Sequence, residues 1–83
     1  MRILLVEDEA LQANAIRRGL EAEGFSVDHC EDGIDGLTKA TTSSYAAIVL
    51  DVLLPSMNGY VIAQDLRRQG VWTPILMLSL IHI

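Results

Sequence analysis

Four side chains stand where an apolar run gives way to polar residues, and their types define the available chemistry. Glu7 and Asp8 follow Ile3-Leu4-Leu5-Val6, Asp51 follows Ala46-Ala47-Ile48-Val49-Leu50, and Ser79 closes Ile75-Leu76-Met77-Leu78. If each run is a strand of one parallel sheet, all four residues lie at its carboxyl edge, where open α/β sheets bind ligands. Carboxylates brought together there repel, which either raises the proton affinity of some or holds a cation. An all-oxygen site with room for water suits Mg²⁺, which takes one or two carboxylates and fills its remaining positions with water and phosphate oxygens. A metal there neutralises an incoming phosphoryl group and leaves one carboxylate free as a nucleophile. A lone acid after a strand is more often a cap or a solvated charge, and Asp8 by itself could cap the helix that follows. An acidic pair after the first run, combined with an acid ending the third, is a much rarer coincidence.

The stretches between these runs supply the elements that would position them. Leu11, Ala15, Ile16 and Leu20 share one half of a helical wheel, with Asn14, Arg17 and Glu21 opposite, and Gly24 ends that helix. Ser26-Val27-Asp28-His29-Cys30 alternates polar and apolar residues, as a half-exposed edge strand does. Asp32 is placed to cap a second helix with apolar positions Ile34 and Leu37. Gly36 weakens that helix by about 1 kcal/mol relative to alanine, and Thr41-Thr42-Ser43-Ser44 is expected to dissolve it into a loop. Pro55 and Asn58-Gly59 break the chain before a third helix with Gly59, Ile62, Ala63 and Leu66 on one face, closed by Gly70. Thr73-Pro74 leads into a fourth, buried strand, Ile75 to Ser79. The pattern is β-α-β-α-β-α-β, an α/β fold.

Composition narrows the function classes. The 83 residues, 51% hydrophobic and 20% charged, suit one small globular domain and exclude a disordered chain. A single cysteine, Cys30, excludes an internal disulfide framework. A net charge of −5 argues against direct contact of this segment with nucleic acid. The longest aliphatic run, Ala46 to Leu50, is far short of the ~20 residues that span a bilayer, and Glu7-Asp8-Glu9 interrupts the first run as no signal peptide would allow. No membrane association and a cytoplasmic location are the expectations.

Three stretches, in register and properly spaced, resemble the receiver domains of two-component response regulators: Ile3 to Glu9, Asp51 to Gly59, and Pro74 to Ser79. The resemblance covers residues 1–79, with residues 80–83 as a tail that does not match the family. It implies a flavodoxin-like parallel sheet of order 2-1-3-4 with helices on both faces. It also implies that Asp51 is the phosphoacceptor, served by a sensor histidine kinase. Glu7, Asp8, Asp51 and the backbone carbonyl of Leu53 would hold Mg²⁺, and Ser79 would be the switch hydroxyl. The output domain would lie outside this chain, and the wording around Asp51 is most similar to regulators with a winged-helix DNA-binding domain. Such a protein phosphorylates itself and is not a turnover enzyme on an external substrate. Pro55 and Gly59 would shape the loop after the acceptor. Trp72 and Tyr60 are read as packing or surface residues, Cys30 as an inert thiol, and His29 and His82 as lacking the partner spacing of a metal site.

The chain also departs from the family pattern. Family members continue through a fourth helix, a fifth strand ending in lysine and a fifth helix, whereas the only lysine here is Lys39, in the second helix. Leu80 stands where the family places a small residue after the switch hydroxyl. Loss of one preorganised charge donor typically costs about 3 to 4 kcal/mol of transition-state stabilisation, so full competence is not expected of these residues alone. Without the later elements the fourth strand would be an unprotected edge, and apolar residues of strands one and three would meet water. Instability or self-association is therefore expected.

Competing functions are separated by single positions. An aspartate-nucleophile phosphohydrolase would carry a second acid two residues after the nucleophile, where this chain has Leu53. A dinucleotide-binding module would need a glycine-rich turn after the first strand, where Glu7-Asp8-Glu9 would repel phosphate. The alternative that survives is a degenerate or stand-alone receiver acting as a protein-binding module.

Overall fold

The computed structural model describes residues 1–54 and 56–78. Pro55, Ser79 and the tail of residues 80–83 fall outside the described residues, and with them the readings made for those positions. The elements run β1 (Arg2–Val6), α1 (Ala10–Ala22), β2 (Ser26–Cys30), α2 (Gly33–Thr42), β3 (Ala47–Asp51), α3 (Gly59–Arg68) and β4 (Ile75–Leu78). All pairings are parallel and the order is β2-β1-β3-β4. The expected order is therefore the observed one, with the alternating Ser26–Cys30 strand at one edge.

Each helix returns the chain across a face of the sheet. Leu4, Val6, Ile48 and Leu50 point to one face and pack with Ala40 of α2 and with Ile62 and Leu66 of α3. Ile3, Leu5 and Val49 point to the other and are covered by α1 through Ala13, with Ile16 and Leu20 beside it. Gly24 and Gly70 end α1 and α3 at φ +94° and +80°, a left-handed conformation in which a Cβ would be strained.

The helix faces differ in detail from their sequence patterns. In α1 the buried stripe is centred on Ala13, while Leu11 is 82% exposed and Ala15 is exposed. Leu11 and Ala15 each stand two residues from Ala13, about 160° around the helix, whereas Ile16 and Leu20 fall within about 60° of it. A small alanine at the centre of the stripe lets the helix lie close to the sheet. In α2 the same principle operates more strongly, since Gly33, Gly36 and Ala40 are buried and Ile34 is 52% exposed. A Cβ on Gly36 would come within 2.7 Å of Val6 Cγ2, so the residue that weakens the helix is the one that permits its close contact with β1.

The Thr-Ser tract does end α2, but at Ser43 and not at Thr41. The helix runs through Thr42, and along it the hydroxyls of Thr38, Thr41 and Thr42 donate to carbonyls one turn back, at Ile34, Leu37 and Thr38. β4 is not the buried strand expected, for Leu76 is 60% exposed at the open side of the sheet. The expected wetting of strands one and three does not occur, because α1 shields Ile3, Leu5 and Val49.

Candidate functional site

The carboxylates predicted to converge do so. β1 and β3 are the two central strands, with Val6 opposite Leu50 in the register, so the residues that follow them meet at one edge. Glu7, Asp8 and Asp51 each present a carboxylate oxygen within 4.8 Å of the others. Asp8 does not cap α1, whose N-cap position is Glu9.

The three acids sit in different surroundings. Glu7 is fully buried, Asp51 is 4% exposed and Asp8 is exposed, so the cluster opens to solvent on the Asp8 side. Burial, and then the adjoining Asp51 carboxylate, raise the Glu7 carboxyl to about 7. Glu7 Oε2 accepts a long bond from the Glu9 N–H at 3.5 Å, while Glu7 Oε1 is buried with no hydrogen-bond partner among the described residues. An acceptor left bare inside a protein is costly, and a cation bound between the acids would remove the cost. The donors are hard oxygens, two of them buried and one open to water, which fits Mg²⁺ or a similar divalent cation.

The loop after β3 is held on several sides. Asp51 Oδ1 accepts from the Leu53 N–H at 3.3 Å, and the Val52 N–H donates to the Leu78 carbonyl at 3.1 Å. The Gly59 N–H donates to the Val52 carbonyl at 2.9 Å, and Asn58 caps α3 by accepting from the Tyr60 N–H. A Cβ on Gly59 would stand 2.3 Å from the Asp51 carbonyl oxygen, which explains why glycine occupies the first turn of α3. From the far side, the Ser56 hydroxyl donates to the Asp32 carboxylate and accepts from the Ile34 N–H, tying the loop to the start of α2.

Other residues singled out in the sequence are not among the clustered acids. Cys30 is buried, and burial pushes its thiol up, in keeping with an inert sulfur. Trp72 and Tyr60 are exposed, Trp72 lying under the Arg67 guanidinium at 5.5 Å. His29 has a role that its lack of metal-ligand spacing did not reveal: its Nε2 lies 2.7 Å from the Glu7 carbonyl oxygen. The signal existed only in the strand order, which sets β2 against β1. The Ser56 link to Asp32 left no sequence signal, since it joins two loops 24 residues apart.

Comparison with known proteins agrees with this geometry. The family model for the response regulator receiver domain matches residues 3–82. The transcriptional regulatory protein TcrA of Mycobacterium tuberculosis is 44% identical over 79 residues, covering 95% of this chain and 31% of that protein. The transcriptional activator protein IrlR of Burkholderia pseudomallei is 46% identical over 79 residues, covering 95% of this chain and 34% of that protein. Among solved structures, the receiver domain of the Francisella response regulator 1452 superposes with a TM-score of 0.92 at 28% identity, covering 99% of this chain and 68% of that one. The response regulator TrrA of Thermotoga maritima, solved in complex with Mg(2+)-BeF, superposes at 0.89 with 29% identity, covering 94% and 68%. TrrA has also been solved in complex with the histidine kinase ThkA, with a TM-score of 0.88 and 28% identity, covering 99% of this chain and 71% of that one.

The chain belongs to the response regulator receiver domain family. It spans about a third of the length of the curated relatives it matches. No helix among the described residues is long and apolar enough to cross a membrane.

Proposed function

We propose that this chain is the phosphoacceptor portion of a two-component response regulator, with residues 1–79 carrying the receiver fold. Asp51 takes a phosphoryl group from a phosphohistidine of a sensor kinase. A carboxylate oxygen of Asp51 attacks phosphorus, the P–N bond breaks, the imidazole leaves with the electron pair, and an acyl phosphate forms on Asp51. The modification is of the protein itself, one event per chain, and no external substrate is turned over.

Glu7, Asp8, Asp51 and the Leu53 backbone carbonyl are the groups that would hold Mg²⁺, which supplies charge neutralisation for the incoming phosphoryl oxygens. The chain's own residues do the rest. Burial of Asp51 excludes competing water, the Leu53 N–H fixes one of its oxygens, and Gly59 keeps a side chain away from its backbone. Ser79 is the switch hydroxyl in this reading, and a winged-helix DNA-binding output domain in the cytoplasm is the recipient of the signal. TcrA and IrlR, both named as transcriptional proteins, support that output, and the TrrA–ThkA complex supports a kinase partner.

The observation that carries the proposal is the convergence of Glu7, Asp8 and Asp51 around a buried acceptor, Glu7 Oε1, that has no partner among the described residues. Calorimetric titration with Mg²⁺ tests it. The parent chain should bind Mg²⁺, and Asp8→Ala or Asp51→Asn should weaken binding at least ~10-fold. Unchanged binding in both variants would move the cation elsewhere.

A further inference from the structure

β2 grips the end of β1 twice, once by its backbone and once by a side chain. The Glu7 N–H donates to the Cys30 carbonyl at 2.9 Å. The Glu7 carbonyl oxygen lies 2.7 Å from His29 Nε2. A carbonyl can only accept, so Nε2 carries the ring proton and donates. That carbonyl belongs to the peptide linking Glu7 to Asp8, whose rotation would swing one carboxylate relative to the other. Among the described residues the Glu7 side chain has one hydrogen bond, the 3.5 Å bond from the Glu9 N–H to Oε2, and Oε1 has no partner, so the side chain adds little restraint. The geometry of the acidic pair therefore depends on how its backbone is held.

We propose that His29 is a positioning residue for the cation site, donating from Nε2 to the Glu7 carbonyl and so holding the Glu7–Asp8 peptide in the orientation that aims both carboxylates at one ion. The inference rests on reading the acidic cluster as a divalent-cation site. His29 is only partly buried, and it borders an open cleft of about 330 Å³ that Leu11, Asn14, Arg17 and Glu31 also line. A smaller residue at position 29 would thus widen a solvated cleft and leave no sealed void in the core, which separates loss of the hydrogen bond from loss of packing.

The test uses the chain with Mg²⁺ alone, and a second measurement without metal. His29→Leu removes the donor, whereas His29→Gln keeps an N–H of similar reach. Titration should show Mg²⁺ binding about 10-fold weaker in His29→Leu and close to the parent in His29→Gln. Nitrogen NMR of the metal-free parent should show the ring as the Nε2–H tautomer, a result that holds whether or not a variant folds. A parent that binds no Mg²⁺ overturns the reading of the site itself. A parent that binds while His29→Leu binds equally well, an equal loss in the leucine and glutamine variants, or an Nδ1–H ring overturns the role of His29.

Discussion

The two faces of the sheet are covered to different degrees. On one, α2 and α3 together bury Leu4, Val6, Ile48 and Leu50. On the other, α1 alone covers Ile3, Leu5 and Val49, and Leu76, which faces the same way as Val49 in the register, stays largely in water. The chemistry follows the better-covered strands. Glu7 and Asp51 extend β1 and β3, which are buried on both faces, so two of the three carboxylates are fixed by the deepest part of the core. β4 has the thinner cover, and it is there that the chain should be easiest to perturb without disturbing the acids.

The largest effect separating the faces should come from Leu4→Ala. Its side chain is fully buried against α2 and α3, and a leucine-to-alanine change in such a place costs about 2–5 kcal/mol. Leu76→Ala should change stability by less than ~0.5 kcal/mol, as exposed substitutions do. Urea denaturation of both variants measures the contrast, and equal losses would mean that the two faces are equally packed. Next in size is Gly36→Ala. Alanine would gain about 1 kcal/mol of helix propensity, but its Cβ would press into Val6, and overpacking of this kind costs about 1–3 kcal/mol. A net loss is expected, and Val6→Ala in the same chain should relieve part of it.

Proton linkage probes the acidic edge itself. Glu7 titrates near 7 in the folded chain, above its ordinary value of 4.5, so between these values the folded state binds more protons than the unfolded one. The metal-free chain should therefore lose stability as pH rises from about 4.5 to about 7 and then level off. Glu7→Gln should flatten that slope, and Mg²⁺ should offset the loss above pH 7, because cation and proton compete for the same oxygen. Thermal midpoints recorded across this range, with and without Mg²⁺, give the answer. A stability that rises through the window would contradict the burial of Glu7 beside Asp51.

The smallest change concerns solubility. Leu76→Lys places a charge on the exposed side of β4 and should leave the unfolding midpoint nearly unchanged while reducing self-association of the chain in sedimentation velocity. A parent that is already monomeric would show that this edge is harmless.

Much of this arrangement was legible because it depends on chain-local pattern. Continuous aliphatic runs marked β1 and β3, alternation marked β2 as an edge, and the acids that follow β1 and β3 marked the site. Helix faces were harder to read, since Leu11 and Ile34 are more hydrophobic than the Ala13 and Gly36 that actually face the sheet. Hydrophobicity identifies candidates for burial, but the closeness of a helix to a sheet selects small residues instead. The two extra residues of α2, Thr41 and Thr42, were not legible because threonines fit a helix end as readily as a loop, and here their hydroxyls bond to carbonyls of the preceding turn. His29 was missed because its partner is a backbone atom 22 residues away, which no side-chain spacing encodes.

Intact-mass spectrometry with a small phosphodonor tests whether Asp51 is a nucleophile supported by Glu7 and Asp8. With Mg²⁺ present, the chain should gain the mass of one phosphoryl group. Borohydride reduction should map the label to residue 51, and Asp51→Asn should abolish it. Labelling of Asp51→Asn at the parent rate would place the acceptor at another residue, and labelling that ignores Mg²⁺ would remove the cation from the reaction.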